Sequence, residues 1–205
     1  MINELDVAVI HDIKNQLAQL ALMLERRGDC QQEKAIAFAA SKRLSTLLLA
    51  HLQQDGMLKA HVDTACPADL LEDVASEYRS LFPNLDIDVD DAEAPPFWFY
   101  DTALLRLALE NALHNACRHA GQRVSLKAVK FGDRLHMTVA DDGPGFSEDM
   151  LLLNAGETPM PASRNGTGLG LYLAAHIAQL HENSGECGTI FLENRDGAVF
   201  TLSLP

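Results

Sequence analysis

The 205-residue chain reads as an α+β protein, an N-terminal helical hairpin followed by a domain of interleaved helices and strands. Two patterns carry that reading. Up to residue 60, apolar residues return at helical spacings. From residue 67 onward, helical stripes alternate with short runs in which apolar and polar residues take turns. With 47% apolar residues there is enough material for a real core.

Composition excludes several classes. Lys plus Arg number 16 against 29 Asp plus Glu, a formal charge of −13. A nucleic-acid-binding surface would be basic, so that class is disfavoured. Cys30, Cys66, Cys117 and Cys187 have no paired spacing and read as reduced thiols rather than a disulfide or zinc framework. No apolar run is long enough to span a membrane and no signal peptide precedes the first helix, so a soluble, cytoplasmic chain is expected.

The elements follow in order. Residues 2–26 predict one helix, with Ile10, Ile13, Leu17, Leu20 and Leu24 on a heptad seam, ended by Gly28-Asp29. Residues 31–60 predict a second, striped by Ala40, Leu44, Leu47, Leu48 and Leu52. A hairpin alone cannot bury two stripes, so pairing with a second copy into a four-helix bundle is expected; packing on the following domain is the other solution. Residues 61–66 read as a linker, and Asp69 to Phe82 as a helix. Asp86–Asp90 alternates as a strand, Pro95-Pro96 is a loop, and Phe97–Tyr100 predicts a short strand with its aromatics in the core. Asp101 is placed to cap a helix through which Leu105, Leu109, Ala112, Leu113 and Ala116 make a stripe. Arg123–Val129 and Arg134–Ala140 predict strands around Gly132-Asp133. The helix Tyr172–Leu180 and two closing strands around Asn194 to Gly197 complete the chain.

Three stretches stand out within this frame. Asn111 and Asn115 lie four apart on one helix face. Neutral amides on an apolar helix are costly to bury unless satisfied locally or by a ligand, and a Mg²⁺ ion carrying phosphate oxygens is one such ligand. Next, the strand Leu135, Met137, Val139 runs into Asp141-Asp-Gly143-Pro-Gly145. A carboxylate at a strand end can accept from an exocyclic amine, and the glycines let backbone approach a flat ring; an ordinary Asp/Gly turn has the same composition. Last, Gly166-Thr167-Gly168-Leu-Gly170 opens a helix, presenting free N–H groups to phosphate or simply making a turn.

In this order the three resemble the boxes of the GHKL ATPases, and among them the histidine kinases of two-component signalling. Asn111 and Asn115 match the N box, Asp141, Gly143 and Gly145 the first glycine box, and Gly166, Thr167, Gly168 and Gly170 the second. The resemblance implies an α/β sandwich for residues 67–205, a mixed sheet with helices on one face, binding ATP with Mg²⁺ held by Asn115 and Asn111 and adenine read by Asp141. It places Arg118 and His119 near phosphate and ring, where charges complementing the helix C-terminus are the alternative. Residues 147–165 fit the ATP lid, with Arg164 able to reach phosphate or solvent. His51, His61, His114, His136, His176 and His181 have no ligand spacing and read as structural.

The stretch His11-Asp-Ile-Lys-Asn15-Gln16 resembles the H box of the same kinases. The resemblance makes residues 1–62 a dimerisation and phosphotransfer hairpin, His11 the phosphoryl acceptor, Asp12 its base, and Asn15 the residue positioning water for dephosphorylating a response-regulator receiver. Gln16 stands where many members carry proline, and it also completes the Asp-x-x-x-Gln pattern of a second subfamily, so the subfamily stays open. In hydrolysing relatives a glutamate precedes the metal asparagine by one turn; Asn111 stands there, and Glu110 points about a hundred degrees away, which favours transfer to a side chain over hydrolysis. The expected function is an ATP-dependent protein-histidine kinase acting as a homodimer on a receiver domain. The alternatives are a histidine phosphotransferase relay without kinase activity, and an ATP-gated dimeric binding module.

Overall fold

The computed structural model describes residues 59–151 and 169–205, together with Ala40. The chain divides into two units, residues 1–58 and 59–205. The expected hairpin and its bundle, His11, Asp12 and Asn15 therefore lie outside the described residues, as does most of the stretch expected to form the lid.

The second unit opens with strand β1 (Asp63–Ala65), where a linker was expected. β1 pairs antiparallel with β3 (Trp98–Tyr100), Thr64 opposite Phe99. The error is physical: three residues rich in polar side chains show no alternation, and only the distant partner strand makes them extended. The same two-stranded ribbon corrects the aromatic cluster. Alternation along β3 buries Tyr100 completely but turns Phe97 and Phe99 outward, 54% and 58% exposed. Trp98 is half-buried and donates its indole N–H to the Pro205 carbonyl at 3.0 Å.

Helix α1 (Pro67–Leu81) starts with proline, whose fixed φ suits a first helical position. Asp69 in its first turn and Arg79 in its last complement the helix dipole. Its stripe of Leu70, Leu71, Val74, Ala75, Tyr78 and Leu81 is buried. β2 (Asp86–Asp90) follows, then β3, then helix α2 (Thr102–His119). Asp101 caps α2 as expected, its Oδ1 accepting from the Leu104 N–H at 3.0 Å. The predicted stripe is the buried face, with Leu105, Leu109 and Leu113 fully enclosed.

β4 (Arg123–Phe131) and β5 (Arg134–Asp141) form a hairpin, and β8 (Thr189–Asn194) and β9 (Ala198–Leu204) another. Together with β2 they make one five-stranded sheet in the order β2-β4-β5-β9-β8. β2 and β4 are parallel and the remaining pairs antiparallel, so the sheet is mixed. Parallel neighbours need a crossover, and α2 supplies it between β2 and β4. Short helix α3 (Glu148–Leu151), helix α4 (Leu169–Gln179) and a small hairpin of β6 (Glu182–Asn183) and β7 (Glu186–Cys187) complete the described chain.

α1, α2 and α4 pack on one face of the sheet, α2 in the middle between the other two. Between the layers lie Val124, Leu126, Ala128, Leu135, Met137, Val139, Leu202 and Leu204, met by the helix stripes. The register puts the polar residues of the same strands on the opposite face. There Thr138 meets Thr201 at 3.2 Å, and Lys127 pairs with Asp90 at 2.8 Å. Arg134 ties the β6–β7 hairpin to the sheet by donating to Ser203 Oγ, Glu186 and the Cys187 carbonyl.

Candidate functional site

α2 delivers one residue set above the middle of the sheet, over β5. Asn111 is half-buried and donates its amide N–H to the Leu107 carbonyl one turn back, at 2.9 Å. That bond fixes the amide orientation and leaves Oδ1 outward. The outward side meets the first turn of α4: a Cβ placed on Gly170 would lie 3.7 Å from both the Cβ and the Oδ1 of Asn111. Asn115, one turn on, is exposed, and so are Arg118 and His119 in the last turn. Glu110 serves the other flank of the helix. Its backbone carbonyl accepts from Tyr78 Oη at 2.9 Å, and its carboxylate lies 3.9 Å from Arg106, which itself pairs with Asp73 of α1. The acidic neighbour of Asn111 thus faces α1, while Asn111 faces α4.

β5 delivers the second set. Asp141 has the same register parity as Val139 and Met137, so it ends the strand on the helix-covered face. Its Oδ1 accepts from the Gly143 N–H at 2.8 Å and, at 3.4 Å, from the Ala198 N–H. Among the described residues Oδ2 has no hydrogen-bond donor, so that oxygen can accept from a ligand. Gly143 sits directly on the end of α2. A Cβ there would run into the His119 carbonyl oxygen and come within 2.8 Å of Asp141 Oδ1. Gly145 has φ +83°, in the left-handed region that glycine occupies without strain.

The expected N box and the first glycine box are therefore in contact through His119 and Gly143, and the N box meets the second through Asn111 and Gly170. Gly166, Thr167 and Gly168, with Arg164, lie outside the described residues.

Two of the remaining histidines of this unit are packed into it. His114 packs edge-on against Tyr78 and Phe82. His181 is buried, accepts from the Asp101 N–H at its Nε2 at 2.9 Å, and has its Nδ1 2.7 Å from the Ile177 carbonyl. The ring is a neutral Nδ1–H tautomer, and burial holds its pKa below the ordinary histidine value.

Sequence reasoning missed three contributors. Asp142 points away from Asp141 and accepts from the N–H groups of Gly121, Gln122 and Arg123, which hold its carboxyl below the usual carboxylate range. It locks the α2–β4 turn to the glycine loop. Gly197 packs under Asp141, where a Cβ would collide with the Asp141 carbonyl. Asn194 hydrogen-bonds the backbone of Phe146. The doubled acid at 141–142 and the Asn-Arg-Asp-Gly turn were the visible signals, but neither said which strand end it would meet.

The described residues set a mixed sheet, covered on one face by helices, beneath a central helix that meets the strand-end carboxylate's glycine loop at Gly143 and the first turn of α4 at Gly170. Residues 100–205 match the family described as histidine kinase-, DNA gyrase B-, and HSP90-like ATPase, and the chain belongs to that family, on its histidine-kinase side. The sensor-type histidine kinase PrrB of Mycobacterium tuberculosis is 35% identical over 143 residues, covering 67% of this chain and 30% of that protein. The crystal structure of the ATP binding domain of PrrB from Mycobacterium tuberculosis superposes with a TM-score of 0.53 at 31% identity, over 71% of this chain and 97% of that one. The Acinetobacter baumannii histidine kinase AdeS shares the fold, with a TM-score of 0.63 at 18% identity over 93% of this chain and 94% of that one. The chain spans about a third of the length of the curated PrrB protein it matches. Among the described residues no helix is long and apolar enough to cross a membrane.

Proposed function

We propose that the chain is the core of an ATP-dependent protein-histidine kinase, using residues 67–205 to bind ATP and residues 1–62 to dimerise and accept the phosphoryl group. The observation that carries the proposal is the double contact of α2, Asn111 with Gly170 and the His119 carbonyl with Gly143. One helix thereby gathers a polar face, an acceptor for an amine and two positions, Gly143 and Gly170, free of side chains.

In this reading Asp141 Oδ2 accepts from the adenine amine, while Oδ1 stays bound to the Gly143 N–H. Asn111 and Asn115 fit Mg²⁺, because the Leu107 bond turns the Asn111 oxygen outward and Mg²⁺ takes few protein oxygens beside phosphate and water. The ion, when bound, neutralises phosphate charge. Arg118 adds positive charge and donors, and His119 a ring nitrogen, at the same helix end. The glycine segment 166–170 offers N–H groups to the phosphates.

Asn111 carries no base chemistry and Glu110 is turned toward α1, so neither residue activates water for attack on the γ-phosphorus. Transfer to a side chain follows. A ring nitrogen of His11 attacks, the bond from the γ-phosphorus to the bridging oxygen breaks, ADP leaves, and Asp12 takes the ring proton. The phosphoryl group then passes to an aspartate of a response-regulator receiver, and Asn15 positions water for the reverse dephosphorylation. The heptad seams of residues 2–60 close a two-fold bundle, because an isologous pairing buries both stripes.

The test is labelling. The full chain with γ-labelled ATP and Mg²⁺ should acquire an acid-labile, base-stable phosphoryl group. His11→Gln should remove the label and leave nucleotide binding intact. Label that persists in the variant discards His11 as acceptor, and no label on the unaltered protein at saturating ATP discards the kinase reading.

A further inference from the structure

The glycine loop that follows Asp141 is held only at its start by its own residues, the Gly143 N–H on Asp141 Oδ1 and Asp142 on the α2–β4 turn. It is gripped from outside by the turn between β8 and β9. At one end of that turn, Asn194 Oδ1 accepts from the Phe146 N–H at 2.7 Å, and Asn194 Nδ2 donates to the Phe146 carbonyl at 2.9 Å. The side-chain amide thus pairs with a backbone residue in both directions, as a neighbouring strand would. Gly145 is part of the same fit, because a Cβ there would lie 2.7 Å from Asn194 Oδ1. At the other end, Gly197 packs against the Asp141 carbonyl, and a Cβ on it would come within 2.9 Å of the Gly143 nitrogen. The turn between them is closed by the Arg195 N–H donating to the Gly197 carbonyl at 3.0 Å. One short turn therefore touches the loop at Asp141, Gly143, Gly145 and Phe146.

We infer that Asn194 is a positioning residue for nucleotide recognition: its two-way bond to Phe146 pre-orders the 141–146 loop, so that Asp141 is presented to the base without an ordering cost on binding. The inference rests on the nucleotide reading of the Asp141 site. Its physical basis is that a loop left to fluctuate must be immobilised by the ligand, which subtracts from affinity, whereas a loop already held does not. Asn194 is exposed, so removing its amide empties no core and leaves sheet packing untouched. The Asn194 amide bonds Phe146 and not Asn111, Asn115, Arg118 or His119, so its removal should act mainly on the base end of the site.

The experiment measures ADP affinity by calorimetry with Mg²⁺ present, and the ATP dependence of autophosphorylation, on the full chain. Asn194→Ala should weaken ADP binding about tenfold and raise the KM for ATP by a similar factor, with the rate at saturating ATP unchanged. Asn194→Asp keeps the acceptor for the Phe146 N–H and loses the donor to its carbonyl, so its affinity should fall between the two. An Asn194→Ala protein that melts like the unaltered one and binds ADP equally well overturns the inference alone. Equal losses in KM and in saturating rate, or no partial rescue by Asp, overturn it as well, because the turn would then be merely structural. An unaltered protein that binds no ADP overturns the reading of the Asp141 site and this inference with it.

Discussion

Placing a methyl group on Gly143 isolates the contact between the glycine loop and the central helix. The added Cβ would collide with the His119 carbonyl oxygen, lie 2.9 Å from its carbon, and lie 2.8 Å from Asp141 Oδ1. Two of those three atoms are backbone at a helix end, so no rotamer change relieves the overlap, and the loop itself must move. Overpacking of this kind costs about 1–3 kcal/mol, which for a domain of this size lowers Tm by roughly 3–9 °C. Because the moving loop carries Asp141, displacement of about 1 Å should weaken adenine-nucleotide binding by as much as about a hundredfold. Two other glycines serve as controls. Gly132 has φ +61° and nothing within 4 Å of a Cβ, so Gly132→Ala pays strain without overlap, about 1–2 kcal/mol, and leaves nucleotide affinity alone. At Gly121 a Cβ finds ordinary contact with Asp142 at 3.5 Å, so Gly121→Ala should stay within about 0.5 kcal/mol. Calorimetric titration with ADP and thermal melts of the three variants decide the matter. Gly143→Ala binding ADP as tightly as the unaltered protein, or melting no lower than Gly121→Ala, refutes the argument.

Asp141→Ala and Asn115→Ala should separate by metal dependence: both weaken ATP binding, by roughly tenfold or more, but only the Asn115→Ala defect should vanish when titrations are repeated with EDTA. An Asp141→Ala defect that disappears without Mg²⁺ would move the aspartate to the metal. The buried neutral ring of His181 predicts a pH effect on stability. Its folded pKa is lowered by burial, so below the unfolded value of about 6.5 the unfolded chain takes up a proton that the folded chain refuses, and stability falls as pH drops from 7 toward 5, by at most about 1.4 kcal/mol per pH unit for one group. His136 and His176, also lowered chiefly by burial, add in the same direction. His181→Gln should flatten that slope in urea titrations at pH 7, 6 and 5; an unchanged slope would show that the folded chain protonates this ring as readily as the unfolded chain does, which the acceptor role of Nε2 toward the Asp101 N–H forbids. For the reverse reaction, Asn15→Ala should keep autophosphorylation and lose most phosphatase activity toward a phosphorylated receiver, with Gln16→Ala milder. Decay of purified phospho-receiver in the presence of ADP distinguishes the two, and the opposite ranking would assign the helix to the other subfamily.

Much of the second unit was legible in the chain because its signals are local. The α2 stripe repeats over several turns, Asp101 sits where an N-cap must be, and the β4–β5 hairpin announces itself by alternation around Gly132-Asp133. The boxes are local signals too, each a short run whose residue types point to backbone approach or polar exposure, and of the glycines in the second glycine box only Gly170 is among the described residues. Pairing partners are not local, and there the sequence was silent. Whether Asp63–Ala65 is linker or strand depends on Tyr100 and its neighbours some thirty-five residues away, and which of Phe97, Phe99 and Tyr100 is buried depends on the side of that ribbon that meets the core. The two carboxylates at 141–142 are identical in sequence terms. Only the strand parity of β5 and the turn after α2 decide that one lies on the helix-covered face and the other binds three backbone N–H groups. Residue types and periodicity thus determined what each segment could be and which chemistry it could offer. Contacts between segments distant in the chain, Gly143 on His119, Gly170 beside Asn111 and Asn194 on Phe146, were decided only when the sheet order placed β5 between β4 and β9 under α2.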